Sequence, residues 1–152
     1  MYNPLTRTCE TTLLPTLREL NMAFYGFSPL AGGFFSKSAA QLRTPAAGSR
    51  MDQMKHFANM YVSDFSLGLH EDLTKACEAE GVTVKEATLR WLVWHSGLRD
   101  QDGVILGASS AVQVEENLVA TEGGRLPERV VEAFEEMWRK WKEAGKATPA
   151  WV

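Results

Sequence analysis

Ser109 and Ser110 follow a glycine at the end of a short apolar run and precede a helical pattern. In GVILGASSAVQVEENL, residues 103–118, the apolar stretch over 104–106 stops at Gly107, and a helix opens after the serines. A strand, a glycine turn and a capped helix start make an anion site. The first helical turn leaves N–H groups free and lies at the positive end of the dipole. The same hydroxyls also serve as plain helix caps. A second chemistry is spelled by Asp52, His56, Tyr61 and Asp64, which lie close in sequence. Carboxylate, imidazole and phenol are the usual general acids and bases. The spacing of Asp52 and His56 would put both on one helix face, a pattern also common on solvated helices.

The elements that would hold these residues follow from periodicity and caps. Residues 8–20 read as a helix, with Leu13, Leu17 and Leu20 on one face, Thr8 as cap and Pro15 tolerated only in the first turn. Residues 22–27 (MAFYGF) are short and aromatic between Asn21 and Ser28-Pro29, the pattern of a buried strand. Residues 28–50 hold Pro29, Gly32, Gly33, Pro45 and Gly48 and read as one long loop. Loops of that length in compact domains are functional lids or disordered segments. Helices are expected over 51–61 and 64–80, the second capped by Ser63 and stopped by Gly81. Over 83–97, Thr83 and Glu86 form a capping box, and Val84, Ala87, Trp91 and His95 or Leu98 share a face. A strand at 104–106 leads to a helix over 111–120, and Pro127 opens a last helix over 128–144 that stops at Gly145. Strands separated by helices imply parallel pairing. A two-stranded sheet is marginal alone, so something must cover its edges.

Composition narrows the class. The chain has 152 residues, 45% hydrophobic and 23% charged, with a net charge of −3, which fits one domain over 1–152. Basic residues are spread along it, which argues against nucleic acid or an anionic membrane surface as partner. No apolar run approaches the ~20 residues of a membrane span. The opening MYNPLTRTCE lacks the apolar stretch of a signal peptide, and Cys9 and Cys77 stand far apart without metal-type spacing. A cytoplasmic protein with free thiols and no bound metal is expected. His56, His70 and His95 lie apart on separate expected helices, and Trp91, Trp94, Trp138 and Trp141 fall at helical spacing, as structural residues do.

Three stretches together, FYGFSPLAGGFFSK over 24–37, ATLRWLVWHS over 87–96 and GVILGASSAVQVEENL over 103–118, make the chain resemble the C-terminal half of an aldo-keto reductase. The likeness is greatest to the aflatoxin-aldehyde reductase branch and its fungal relatives. It implies an α/β fold, a helix-dominated partial (β/α)8 barrel with about two parallel strands. Met1-Tyr2-Asn3 would match the end of the sixth barrel strand, 22–27 the seventh and 104–106 the eighth. The resemblance implies that residues 28–50 form a cofactor and substrate loop around NADP(H). Phe27 would stack on the nicotinamide. Ser28, Pro29, Leu30, Gly32 and Gly33 would run along the pyrophosphate, where glycine lets backbone N–H groups approach closely. Lys37 or Arg50 would meet a phosphate. Ser109 and Ser110 would bind the adenosine phosphate end, and Glu116 and Asn117 the adenine edge. Gln113 stands where many relatives carry arginine.

The resemblance implies an absence as well. The family reduces carbonyls with an Asp, Tyr, Lys and His tetrad on its first four strands, and no residue here matches those positions. The first expectation is therefore a half that binds NADP(H) without turning over a small carbonyl or polyketide-like substrate, paired as a homodimer or with a partner half-barrel. The second is a repurposed half-barrel doing redox-free chemistry on a secondary metabolite as cyclase, dehydratase or isomerase, with Asp52, His56, Tyr61 and Asp64 as acid/base groups. The third is a non-enzymatic interaction module that uses its tryptophan-rich helices.

Overall fold

Two short strands, β1 (Tyr25–Phe27) and β2 (Gly103–Ile105), pair in parallel with Tyr25 opposite Gly103 and Phe27 opposite Ile105. They form a two-stranded sheet in the computed structural model, which describes residues 1–147. The register depends on Gly103: its missing side chain leaves room for the Tyr25 ring, and a Cβ there would fall 2.7 Å from Cδ1. Tyr2 lies alongside β1 and donates its N–H to the Phe27 carbonyl at 3.0 Å. Around this sheet stand helices, giving the helix-rich α/β fold of a partial barrel.

One buried carboxylate ties the strand starts together. The Asp102 side chain has no exposed surface. It accepts both Nη groups of Arg18 at 2.9 and 2.5 Å, and the backbone N–H groups of Phe24 and Arg99 at 2.8 Å each. Burial pushes this carboxyl up, but Arg18 and the two backbone donors outweigh it and hold it below the usual carboxylate range. Arg18 lies on α1 (Leu13–Glu19), so the knot joins that helix to the entries of both strands.

The core is built by α5 (Asp64–Ala79), α6 (Val84–Trp94) and α8 (Glu128–Glu143), with Leu73, Trp91, Phe134 and Met137 almost fully enclosed. Ser63 caps α5 and Thr83 caps α6 through their hydroxyls, and Gly81 and Gly145 end helices at φ +68°. The Glu86 carboxylate does not complete a capping box; it takes Arg90 Nη1 at 3.0 Å instead. Arg7 joins the chain start to α8, pairing with Glu135 at 2.8 Å and lying over the Trp91 and Trp138 rings.

Four further expectations change. The helix expected over 8–20 is a 3-10 turn, Thr8–Glu10, followed by α1, with Pro15 in its first turn. The Thr8 side chain caps neither, and Leu14 is the buried leucine because it packs towards Gly97, leaving Leu13 and Leu20 exposed. The aromatic strand is shorter than 22–27 and its side chains are not enclosed: Tyr25 is 65% and Phe27 42% exposed. Residues 28–50 are not an open loop. A 3-10 turn (Ala31–Ser36) and α2 (Ala39–Arg43) fold inward and bury Phe34, Phe35 and Leu42. The helix expected over 51–61 breaks at Met54 into α3 (Arg50–Gln53) and α4 (Lys55–Tyr61), because Met54 leaves helical geometry at φ −108°, ψ 74°.

Candidate functional site

The helix start after β2 is assembled from its own sequence. Ser110 is the N-cap of α7 (Ala111–Thr121), and its Oγ accepts the Gln113 N–H at 3.3 Å. Gln113 reaches back, its Oε1 accepting the Ser109 N–H at 2.9 Å and the Ser109 hydroxyl at 3.0 Å. The first-turn N–H groups of Ala111 and Val112 have no partner within the helix and lie at its positive end. Arg50 brings a full charge to the turn that precedes this helix: a Cβ on Gly107 would sit 4.0 Å from Arg50 Nη1. The Phe57 ring backs that guanidinium at 5.7 Å from its centroid.

The loop leaving β1 comes off the same end of the parallel pair, where α/β folds place their ligands. Ser28 at φ 59° and Ala31 at φ 51° are left-handed although neither is glycine. Such geometry persists only where the surroundings enforce it, and it clusters at ligand sites. Here the Ser28 carbonyl accepts from Asn3 Nδ2 and the Ala31 N–H at 3.1 Å each, and Ala31 is completely buried. Gly32, at φ +66°, lies so close to Phe57 that a Cβ would come within 2.6 Å of its ring. Pro29 is buried, Leu30 is half-buried, and Lys37 folds back over Gly33. Phe27 stands exposed at the end of β1, opposite Ile105.

Two residues at the expected adenine edge are differently placed. Glu116 faces solvent and pairs with Lys85 at 2.8 Å. Asn117 is 97% enclosed by its 3% exposure, the one buried residue of α7, and its Oδ1 has no hydrogen-bond partner among the described residues.

The acid/base set is not brought together. The break at Met54 puts Asp52 and His56 on different helices, so they share no face. Asp52 is held below the usual carboxylate range by the Gly48 N–H and then by Lys55. The His56 ring lies tilted against Phe57 with centroids 4.3 Å apart, and Asp64 pairs with Arg43 on the surface. Tyr61 is 1% exposed and its hydroxyl meets Thr6 Oγ1 at 2.9 Å and Asn3 Nδ2 at 3.3 Å. Burial pushes that phenol up, which suits a structural tie between chain start and loop better than proton transfer. This network and the Asp102 knot escape sequence reasoning, since nothing local marks partners 58 or 84 residues away.

The profile of the Aldo/keto reductase family matches residues 1–139. The chain belongs to the aldo/keto reductase family. An aldo-keto reductase of Pseudocercospora fijiensis is 36% identical over 90% of this chain and 48% of its own length. Human aldo-keto reductase family 7 member A3 is 37% identical over 91% and 45%, and oxidoreductase sirO of Leptosphaeria maculans 37% over 96% and 46%. This aldo/keto reductase chain thus spans about half the length of the curated relatives it matches, and the match lies in their C-terminal part. Family membership makes oxidoreductase chemistry on small carbonyl compounds, with NADP(H), the family context of the site. Among the described residues no helix is long and apolar enough to cross a membrane.

Proposed function

We propose that this chain is the NADP(H)-binding portion of a cytoplasmic carbonyl oxidoreductase, and that by itself it binds the cofactor without turning it over. The observation behind this reading is the meeting of Arg50, the bare turn at Gly107 and the serine-capped start of α7 at one end of the strands. Guanidinium, hydroxyl and free helix N–H groups are the donor set that phosphate esters require. Arg50, Ser109 and Ser110 would hold the adenosine phosphate, Gln113 fixing Ser109 in place. The strained backbone from Ser28 to Gly33 would line the pyrophosphate, with Lys37 beside it, and Phe27 would cover the nicotinamide. Glu116 and Asn117 would take the adenine edge, Asn117 bringing a buried carbonyl oxygen that has no hydrogen-bond partner among the described residues. When bound, NADP(H) supplies a hydride. This chain's residues bind and orient it, and none matches the tetrad that would deliver a proton to a carbonyl. Relatives named aflatoxin B1 aldehyde reductase make an aldehyde the natural substrate class for the whole enzyme. The redox-free reading finds no support in the scattered acid/base groups.

Calorimetric titration of the purified chain with NADPH tests this. Saturable binding is expected, weakened at least tenfold, ~1.4 kcal/mol, in an Arg50→Ala/Ser109→Ala double variant. A folded chain that takes up no NADPH overturns the proposal.

A further inference from the structure

The helix that carries the candidate phosphate donors has few apolar anchors. Asn117 is the one buried residue of α7, Val112, Val114, Leu118 and Val119 are exposed, and the helix packs chiefly on α6. Its far end is gripped by hydrogen bonds instead. Trp94 Nε1 donates to the Thr121 carbonyl at 3.3 Å, Arg90 Nε to the Gly124 carbonyl at 2.9 Å, and Arg90 Nη2 to the Arg125 carbonyl at 2.6 Å. His95, the C-cap of α6, accepts the Leu126 N–H on Nε2 at 2.9 Å. Side chains from the end of α6 thus hold the last turn of α7 and the segment that leaves it. The fit is close: a Cβ on Gly123 would fall 2.9 Å from Arg90 Cδ. Arg90 is itself buried, and its Nη1 donates to Glu86 Oε1 at 3.0 Å, so the planar fork is engaged on both sides.

We propose that Arg90 and His95, with Trp94, are positioning residues for the nucleotide: gripping the C-terminal end of α7, they keep its serine-capped start where the phosphate binds, and proton uptake by His95 loosens the grip. This rests on the cofactor reading above and adds to it a control by pH. The 11 residues of α7 span ~16 Å. A pivot of about 10° at the clamped end therefore carries the other end ~3 Å, the length of a hydrogen bond. His95 Nε2 accepts only in the neutral imidazole; once protonated it meets the Leu126 N–H as a second donor. The surroundings oppose the cation. Burial, then Arg125 on the held segment and Arg90 on α6, lower the His95 pKa. Glu86 is engaged by Arg90, and among the described residues neither Glu122 ending α7 nor Glu128 opening α8 forms an ion pair with His95. The imidazolium therefore favours the open clamp. The grip is complete above ~6.5 and is lost as pH falls towards the folded value, and an open-state imidazole of ~6.5 limits the loss of affinity to about tenfold at pH 5.5.

Calorimetric titration of the full chain with NADP⁺, which tolerates acid, at pH 7.5 and 5.5 tests this. Comparing parent with variant cancels the titration of the nucleotide's own phosphate. From pH 7.5 to 5.5 the parent should lose about three- to tenfold more affinity than His95→Gln, whose amide oxygen accepts at both pH values. At pH 7.5 His95→Gln should bind more tightly than His95→Leu. Arg90→Lys keeps the charge without the fork and should bind at least ~threefold more weakly than the parent, with its fold checked by circular dichroism. Equal pH profiles in the parent and His95→Gln overturn the proposal, even where Arg90→Lys fails to fold. Without nucleotide, protection factors of the α7 amides should fall between the same pH values in the parent and not in His95→Gln; an equal fall in both also overturns it. A folded chain that binds no NADP⁺ at either pH defeats the functional reading, and exchange across α7 then decides the clamp alone. Binding whose pH profile ignores His95 defeats only the clamp.

Discussion

Replacing Asp102 by alanine should be among the most damaging single changes to this chain. The carboxylate has no exposed surface and receives four donors, two from Arg18 and one each from the Phe24 and Arg99 backbones. Arg18 is itself only 10% exposed, so truncation strands a guanidinium and two N–H groups away from water. Removing one partner of a buried pair typically costs about 3–5 kcal/mol, against a total of about 5–15 kcal/mol for a domain. With a urea slope of ~2 kcal/mol per M, the unfolding midpoint should fall by roughly 1.5–2.5 M. The Asp102→Ala/Arg18→Ala double variant should recover part of that loss, because it removes the stranded charge as well. The acid limb supplies a second readout. The folded carboxyl titrates below its unfolded value of ~3.9, so its contribution is complete above that pH and disappears as pH falls through the folded value. Asp102→Ala should therefore lose less stability on acidification than the parent chain. A midpoint shift equivalent to less than ~1 kcal/mol, or identical acid limbs, would refute the reasoning.

Gly32→Ala places a Cβ 2.6 Å from the Phe57 ring at φ +66°. Left-handed strain and overpacking together should cost ~2–4 kcal/mol, read as a fall of roughly 5–15 °C in Tm; an unchanged Tm would mean that the loop does not pack on α4. His95 Nε2 accepts the Leu126 N–H at 2.9 Å, which needs a neutral imidazole. Burial, then Arg125 and Arg90, lower its pKa, so the clamp is complete above the unfolded value of ~6.5 and weakens as pH falls from there towards the folded one. The protection factor of the Leu126 amide, its exchange rate corrected for an intrinsic rate that itself slows on acidification, should fall between pH 7.5 and 5, and His95→Ala should abolish that pH dependence.

Helices α5, α6 and α8 are legible in the sequence because each carries its own start or stop: Ser63 with Gly81, Thr83, and Pro127 with Gly145. The segment over 28–50 is harder to read. Its glycines and prolines suggest a loop, yet Ser38 with Gln41 is a complete capping box and Ser49 caps at Asp52. These are start signals for helices too short to show periodicity. The break at Met54 has no such signature, since no glycine or proline marks it, and tertiary packing of Met51 and Phe57 into one core sets it. At the site, the serines follow from capping chemistry, whereas the return of Gln113 onto Ser109 is seen in the structure. The approach of Arg50 to Gly107, 57 positions along, is visible only once the chain has folded.

The reach of α8 sets a timetable for the newborn chain. Val130, Phe134, Met137 and Trp141 all enter the core, and Arg7 finds Glu135 across 128 residues. A nascent polypeptide that has emerged as far as Leu126 holds the segments that follow β1 and β2, both strands and every residue of the Asp102 knot, yet has an open groove where α8 belongs. Its core must wait until α8 has been made, and contacts so distant in sequence form slowly. Until then it is a client for chaperones. A ribosome-bound chain that has emerged as far as residue 126 should be protease-sensitive, and emergence of about twenty more residues should convert it to a resistant one.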